Sequence, residues 1–399
     1  MTDFFDRSLI VHEQLRGKIA IHSKVPVASR DDLSLAYTPG VARPCEVIAS
    51  DPSRVRDLTI KRNTVAVVSD GSAVLGLGNI GPHAAIPVME GKALLFREFG
   101  GIDAWPICVD TQDVDEIVET VRRIAPVFGG INLEDISAPR CFAVEQRLQD
   151  IGIPVFHDDQ HGTAIVLLSA LINSAKILGK DLAEQRVVIN GAGAAGTAIA
   201  RLLRCVGQAS DVCIPVRDVL VCDSKGIIHR EREGLADYKQ EILKYTNRDN
   251  AKGSLHDAIR NADVFIGVSK GNLLNSDDIR TMNENSVILA MANPTPEIMP
   301  DEARRGGAAI VGTGRSDFPN QVNNVLAFPG IFRGLLDAGV TRVTEEMKLA
   351  AAYALAACVE EPDPDNILPD PLDRTVAPRI AASICRICET ESSRTDSVG

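Results

Sequence analysis

The sequence predicts a two-part α/β protein: an N-terminal α/β catalytic domain over residues 1–160 and a doubly wound α/β domain with C-terminal helices over 161–399. Three observations carry that expectation. A chain of 399 residues exceeds the size at which one core keeps growing, and a hydrophobic content of 45% is ample for two. Short apolar runs alternate with helical stretches, which implies parallel strands joined by helical crossovers. A glycine-rich turn near residue 191 falls between one such run and the next helical stretch.

In chain order, TVAVVS over 64–69, WPICV over 105–109 and the apolar residues around Val155 read as buried strands among helices. From Thr163 the alternation becomes regular: a helix to Leu178, a strand over 186–190, the turn GAGAAG and a helix to about Val206. Further strands are expected over 218–222, 263–268, 286–292 and 308–311. The proline-rich EEPDPDNILPDP, residues 360–371, reads as a loop before a final helix over 376–388. Low-complexity segments and fixed-period repeats are absent from the sequence.

The net charge of −12, with no clustered Lys/Arg stripe, argues against a nucleic-acid surface, so a small charged substrate must be held by local cations. The segment MTDFFDRSLIVHEQLRG mixes charges into its apolar residues and lacks a signal-peptide core, and no apolar run reaches membrane-spanning length. A cytoplasmic protein without membrane contact is the expectation. Nine cysteines, an odd number without paired spacing, are read as reduced thiols. Cys385 and Cys388 form the only CxxC, but inside a helical pattern they read as packing residues.

The chemistry concentrates in VFHDDQHGTAIVLLSAL, where Asp158 and Asp159 are adjacent and flanked by His157 and His161. Carboxylates so close repel unless something positive holds them. A second acidic pair, Glu134-Asp135, lies far enough upstream to come from another loop, and four oxygen donors without cysteine favour Mg²⁺ or Mn²⁺. His157 and His161 have zinc-helix spacing but lack the glutamate of HExxH and run straight into Gly162, so they are read as structural groups.

GAGAAG follows the strand RVVIN and opens the helix TAIARLLRCV, which makes it a dinucleotide fingerprint of the Rossmann type. Gly191 allows the tight turn, Gly193 lets the backbone approach a pyrophosphate, Ala194 and Ala195 start the helix, and Gly196 allows close helix–sheet packing. Asp223, ending the next strand, is read either as the acceptor for ribose hydroxyls that favours NAD or as a plain turn residue. Arg217, Lys225 and Arg230 keep NADP open. At later strand ends, Asn293 and Asn324 are candidate ligand contacts, with a turn-forming role as the alternative. Tyr37, before a Pro-Gly turn, and Lys92, after Gly91, are candidate proton-handling groups.

Taken together, YTPGVA (37–42), DGSAVLGLGNIGPHAAIPVMEGKALLF (70–96), INLEDI (131–136) and FHDDQHGTA (156–164) resemble the short bacterial-type malic enzymes. GAGAAG, MANPTPEI and NNVLAFPG agree in order and approximate spacing, so the likeness runs from about Leu35 to Cys388. The chain ends soon after its last helix, so no appended acyltransferase-like domain is expected. The resemblance implies oxidative decarboxylation of L-malate to pyruvate and CO₂, with reduction of NAD or NADP and help from a divalent cation. It implies Glu134, Asp135 and Asp159 as metal ligands, Asp158 beside them as a supporting carboxylate or a proton relay, Lys92 as base and Tyr37 as acid. Asn293 and Asn324 would contact substrate, Gly191, Gly193, Ala194, Ala195, Gly196, Asp223 and Asn293 the cofactor. A homodimer is the usual form.

Two segments depart from the pattern. Ser72 and Ala73 stand where larger malic enzymes have an arginine for the substrate carboxylate, so Ser72, the asparagines, the metal or another cation must serve. Asn79 replaces an aspartate, which removes a negative charge near Lys92. Two other readings stand beside this one: non-oxidative decarboxylation of malate to lactate, and a non-catalytic dinucleotide-binding regulator.

Overall fold

The computed structural model describes residues 4–74, 76–209 and 212–396. A strand covered on both faces needs an unbroken apolar run, and TVAVVS supplies one: β1, Thr64–Ser69, is buried throughout. It lies inside a parallel sheet of order β2-β1-β3-β4, with β2 at Asp103–Cys108, β3 at Gly130–Leu133 and β4 at Val155–His157. The sequence pattern did not mark β3. Its four residues, GINL, are too few and too mixed to stand out, yet they fill the slot between β1 and β4.

The second sheet has the order β10-β9-β8-β5-β6-β7. Its strands are β5 (Arg186–Asn190), β6 (Asp218–Asp223), β7 (Gly226–Ile227), β8 (Val264–Gly267), β9 (Val287–Ala290) and β10 (Ile310–Thr313). Only the short edge strand β7 is antiparallel. β5 pairs with β6 on one side and β8 on the other, so the strand order reverses there and a crevice opens beyond the carboxyl end of β5. The doubly wound expectation holds, with strand ends shifted by at most two residues.

The helix expected from Thr163 starts earlier, at Asp158, and runs to Leu178. Two aspartates in its first turn face the positive end of the helix dipole, a placement that favours starting there. It is the one described helix long and apolar enough to cross a membrane, but 67% of its apolar window is buried inside the protein, as in a core helix. Ser169 Oγ donates to the Ala352 carbonyl (2.9 Å), and Asn173 Nδ2 donates to the carbonyls of Ala356 (3.0 Å) and Ile367 (2.9 Å), which fixes the helix against Glu345–Ala356. Phe96, from the helix Gly81–Gly100, packs edge-on against Phe328 (4.7 Å) and Phe332 (5.2 Å) of the helix Phe328–Ala338. That aromatic cluster joins the two halves of the molecule.

The N-terminal helices Phe4–Leu15, Arg30–Ala36 and Ala42–Ser50 contain no buried residue. One cysteine expectation is corrected: Cys205 and Cys213 form a disulfide. Cys205 has a positive φ just past the helix Ala194–Leu203, where the chain turns back, and the two Cα atoms come within 5.8 Å, inside disulfide reach. Cys385 and Cys388 lie within the helix Val376–Asp396, and Cys388 packs against the core, as the helical reading expected.

Candidate active site

Lys92 projects from the helix Gly81–Gly100, which packs on β1 and β2, and is 7% exposed. Its Nζ lies 2.8 Å from Glu134 Oε1, in contact with Asp158 Oδ2, and 4.1 Å from the centre of the Phe328 ring. A buried ammonium is tolerated only when paired, and here two carboxylates do the pairing. Burial pulls its proton affinity down, but Asp158 and Glu134 outweigh burial and hold it above the ordinary lysine value.

The carboxylates come from two strand ends. Glu134 and Asp135 follow β3, where the Glu134 amide donates to the Val68 carbonyl (2.9 Å) and Asp135 takes a positive φ. Asp158 and Asp159 follow β4 as the first residues of their helix. The Asp135 amide donates to Asp159 Oδ2 at 2.8 Å, which locks the two loops together. One carboxylate oxygen each from Glu134, Asp135 and Asp159 lie within 4.8 Å of one another. Burial first, then mutual repulsion, pushes the Asp135 carboxyl up to about 9; burial also pushes Asp158 up to about 7, against the pull of Lys92.

Three convergent, mutually repelling carboxylates, Glu134 and Asp135 buried and Asp159 half-buried, fit a hard divalent cation with oxygen ligands. Asp158 Oδ1 is buried and has no hydrogen-bond partner, so that carboxylate keeps one acceptor free for a proton. Asn324 Nδ2 donates to Asp158 Oδ2 at 2.5 Å and completes the cluster. Gly162 is required for this: a Cβ there would fall 1.8 Å from Asp158 Oδ1.

Ser72 sits near this cluster, since the Ala73 amide donates to the Asp135 carbonyl (2.9 Å). Its hydroxyl oxygen accepts from the Ser137 amide (2.9 Å), tying the Asp70-Gly71 turn to the loop after β3. Tyr37 is not brought in. It is 67% exposed on the N-terminal arm, and no contact joins it to Lys92, Glu134 or Asp158 among the described residues. His157 and His161 do not form a metal pair: His161 Nε2 bonds Glu145 Oε1 at 2.9 Å, while His157 is fully buried and burial pulls it down to about 4.

The second sheet carries the glycine loop, whose Ala194 packs against the core of the first sheet. Gly191 has φ +126°, and a Cβ at Gly196 would fall 1.8 Å from the Gly191 carbonyl, so only glycines close this turn. A Cβ at Gly193 meets nothing within 4 Å, and the helix that starts at Ala194 has no side-chain cap. Open space over free N–H groups at a helix start fits a pyrophosphate, with Ala194 and Ala195 in its first turn. The Asn293 backbone carbonyl lies 3.4 Å from where a Gly76 Cβ would sit, while its side-chain Nδ2 lies 2.9 Å from where a Gly314 Cβ would sit. Asp223 ends β6 with its carboxylate bound to Arg232 and Lys239.

Two residues the sequence reading passed over organise the site. Glu297, fully buried, accepts from the amides of Ser269 (3.0 Å) and Ala292 (3.0 Å), and so bridges the loops after β8 and β9. Glu145 accepts from the His157 amide (3.1 Å), Gln160 (3.2 Å) and His161, holding β4 at its junction with the helix.

A buried lysine–carboxylate centre opposite a dinucleotide loop defines a dinucleotide-dependent enzyme cleft. Residues 16–149 match the malic enzyme N-terminal domain, and residues 160–389 match the malic enzyme NAD binding domain. The chain is 55% identical to a bifunctional malic/malolactic enzyme of Bacillus subtilis (strain 168), over 96% of this chain and 92% of that one. It is 54% identical to an NAD-dependent malic enzyme of Geobacillus stearothermophilus, covering 95% and 78%. The crystal structure of an NAD-dependent malic enzyme from Thermotoga maritima superposes with a TM-score of 0.90 at 46% identity, covering 96% and 99%. Relatives at 45–48% identity are named NADP-dependent malic enzymes. The chain belongs to the malic enzyme family, whose members decarboxylate malate oxidatively.

Proposed function

We propose that the Lys92 centre carries out the oxidative decarboxylation of L-malate to pyruvate and CO₂, with Glu134, Asp135 and Asp159 as the seat of Mg²⁺ or Mn²⁺. The observation that carries this is one buried lysine shared between Glu134 and Asp158 beside three convergent carboxylates. A nicotinamide, when bound, would supply the hydride acceptor for C2, and a cation held by Glu134, Asp135 and Asp159 would supply positive charge that polarises the C2 oxygen and offsets the negative charge left by loss of CO₂. Lys92 first passes its ammonium proton to Asp158, which touches Nζ and holds a free acceptor oxygen, and then takes the malate hydroxyl proton as hydride leaves. A cation on the neighbouring carboxylates would offset the negative charge of Glu134 and Asp159 that otherwise holds the proton on Lys92. Asn324 keeps Asp158 oriented and, with Asn293 and Ser72, presents polar contacts to the substrate; the loop 191–196 seats the cofactor pyrophosphate.

The proton for C3 is assigned to Tyr37, which the folded chain leaves outside the cluster. Its arm exposes Phe4 (79%), Ile21 (77%) and Leu35 (79%), apolar surface that a lone soluble chain rarely leaves in water. A second copy of the chain is the natural cover, in a homodimer where the arm of one protomer brings Tyr37 to the site of the other.

Malate supplied with Mn²⁺ and either NAD or NADP tests the assignment, with pyruvate and lactate assayed together. Nicotinamide reduction matched by pyruvate and abolished by a chelator is expected. The Bacillus subtilis relative, named for both activities, makes lactate the specific second outcome. Lactate without net reduction would move this chain to the non-oxidative reaction.

A further inference from the structure

Arg140 opens the helix Arg140–Arg147, on the same loop after β3 that carries Glu134 and Asp135. Its Nη2 donates to Gln112 Oε1 (3.2 Å) and to Asp70 Oδ2 (3.4 Å), and its Nε is buried without a partner. Asp70 is fully buried, and its other oxygen accepts from the Ser72 amide at 2.9 Å. A buried carboxylate calls for a cation, so part of the task of Arg140 is to balance Asp70. The grip is loose for that task alone. A guanidinium that only neutralised Asp70 would take the carboxylate with two nitrogens at about 2.8 Å, whereas this one reaches it through a single nitrogen at the long end of hydrogen-bond range.

Three contacts place Arg140 at the reaction cluster. The Asp70 turn is bonded to the Asp135 loop through the Ala73 and Ser137 amides. Cys141, the next residue, is buried beside the acids: burial first, then Glu145 and Asp159, push its thiol up to about 12. From the second sheet, Ala194 at the start of the glycine-loop helix packs against the apolar cluster that holds Cys141. Arg140 thus sits where the acidic cluster and the cofactor helix meet.

Charge decides what it is for. Asp70 joins Glu134, Asp135, Asp158 and Asp159 as a fifth carboxylate here, against Lys92 and one divalent cation, so a dicarboxylate enters a site with no positive charge to spare. Arg315, which approaches Asn293 by donating to the Pro294 carbonyl (2.9 Å), is already forked onto Asp317 through Nε (2.8 Å) and Nη2 (2.6 Å). The Arg140 side chain is 29% exposed and therefore within reach of a ligand. Gln112 Nε2 donates to the neutral Asn79 Oδ1 (3.0 Å), so no second carboxylate draws on the guanidinium from that side.

We propose that Arg140 grips the C1 carboxylate of malate, the one retained in pyruvate, in a two-point ion pair, and that Asp70 and Gln112 hold its guanidinium in place for it. The proposal rests on the reading of the Lys92 centre as a malate site. A planar guanidinium matches a carboxylate with two parallel hydrogen bonds. The C4 carboxylate is the wrong partner: it loses its charge on leaving as CO₂, and a cation bound to it would stabilise the ground state more than the transition state. The C1 carboxylate keeps its charge throughout, so the same grip serves substrate and product.

The test is steady-state kinetics of the full-length protein with malate, and with pyruvate, bicarbonate and reduced cofactor in the reverse direction, with Mn²⁺ and NADH binding measured beside them. For Arg140→Gln, KM is expected to rise about 30-fold for malate and for pyruvate alike, the weight of one charge-assisted contact, while kcat falls by no more than about threefold and both Mn²⁺ and NADH bind as in wild type. Arg140→Lys keeps a cation beside Asp70 should the glutamine variant fold poorly; it loses the two-point grip, and KM for both acids is expected to rise about tenfold. A malate KM within about threefold of wild type in both variants overturns the proposal and leaves Arg140 as the counter-ion of Asp70. A rise for malate without one for pyruvate overturns it as well, since the carboxylate held is then the one that leaves. Wild-type protein that turns over neither acid overturns instead the malate reading beneath it.

Discussion

Replacing Gly162 by alanine adds one methyl group, and the structure says where it goes. Gly162 lies one turn into the helix Asp158–Leu178, where alanine is normally the better residue by about 1 kcal/mol. Helix propensity alone therefore predicts a slightly more stable protein. The added Cβ, however, would fall 1.8 Å from Asp158 Oδ1, and such contacts are not found inside 3.0 Å, so that oxygen must retreat by about 1.2 Å. The same carboxylate contacts Lys92 and accepts from Asn324 through Oδ2, and rotation that clears Oδ1 breaks both. Misplacing a reacting group by about 1 Å costs roughly 100-fold in rate. The Gly162→Ala variant should thus melt within a few degrees of wild type while kcat for malate oxidation, at saturating cofactor and Mn²⁺, falls about 100-fold. A kcat within threefold of wild type would refute the claim that Asp158 must hold its position.

Lys92→Ala and Tyr37→Phe chains should each make little pyruvate alone yet recover about a quarter of wild-type activity when co-expressed, because half the dimers pair one intact lysine with the partner's intact tyrosine. Recovery absent from isolated heterodimers would place Tyr37 in the same chain's site. Glu145 is expected to give the protein an acid-sensitive limb: burial pushes its carboxyl up, but His161 beside it wins and holds it down at about 2. A folded-state value below the ordinary 4.5 stabilises the protein above pH 4.5, and that contribution, ~3 kcal/mol at most, is lost as pH falls toward 2. Urea unfolding of wild type and Glu145→Gln should therefore differ most at pH 7, differ by clearly less at pH 3 and converge only below about pH 2, and an equal difference at pH 7 and pH 3 would contradict it.

Much of this was legible because the residues concerned act on their neighbours in sequence. GAGAAG announces a turn, a strand before it and a helix after it, and each is present. Glu134, Asp135, Asp158 and Asp159 read as metal-type pairs because adjacent acids are costly without a cation. What stayed hidden depends on distance along the chain. β3 is recognisable only by what flanks it in space. Glu145 and Glu297 are lone acids in polar stretches, and nothing local says that one meets His161 and the other two strand-end amides. Asp223 drew attention to Lys225 and Arg230, but the side chains that reach it lie nine and sixteen residues on, delivered by the fold. Cys205 and Cys213 likewise carry no pairing signal until the chain reverses between them.

The most direct test of the Lys92 centre compares wild type with Lys92→Ala for malate-dependent nicotinamide reduction, with Mn²⁺ and NADH binding measured on the same samples. Loss of reduction by at least about 1,000-fold, with both ligands still bound, is the expected result for removal of the base. Reduction within tenfold of wild type would mean that another group takes the hydroxyl proton and that the buried lysine only balances the carboxylates around it.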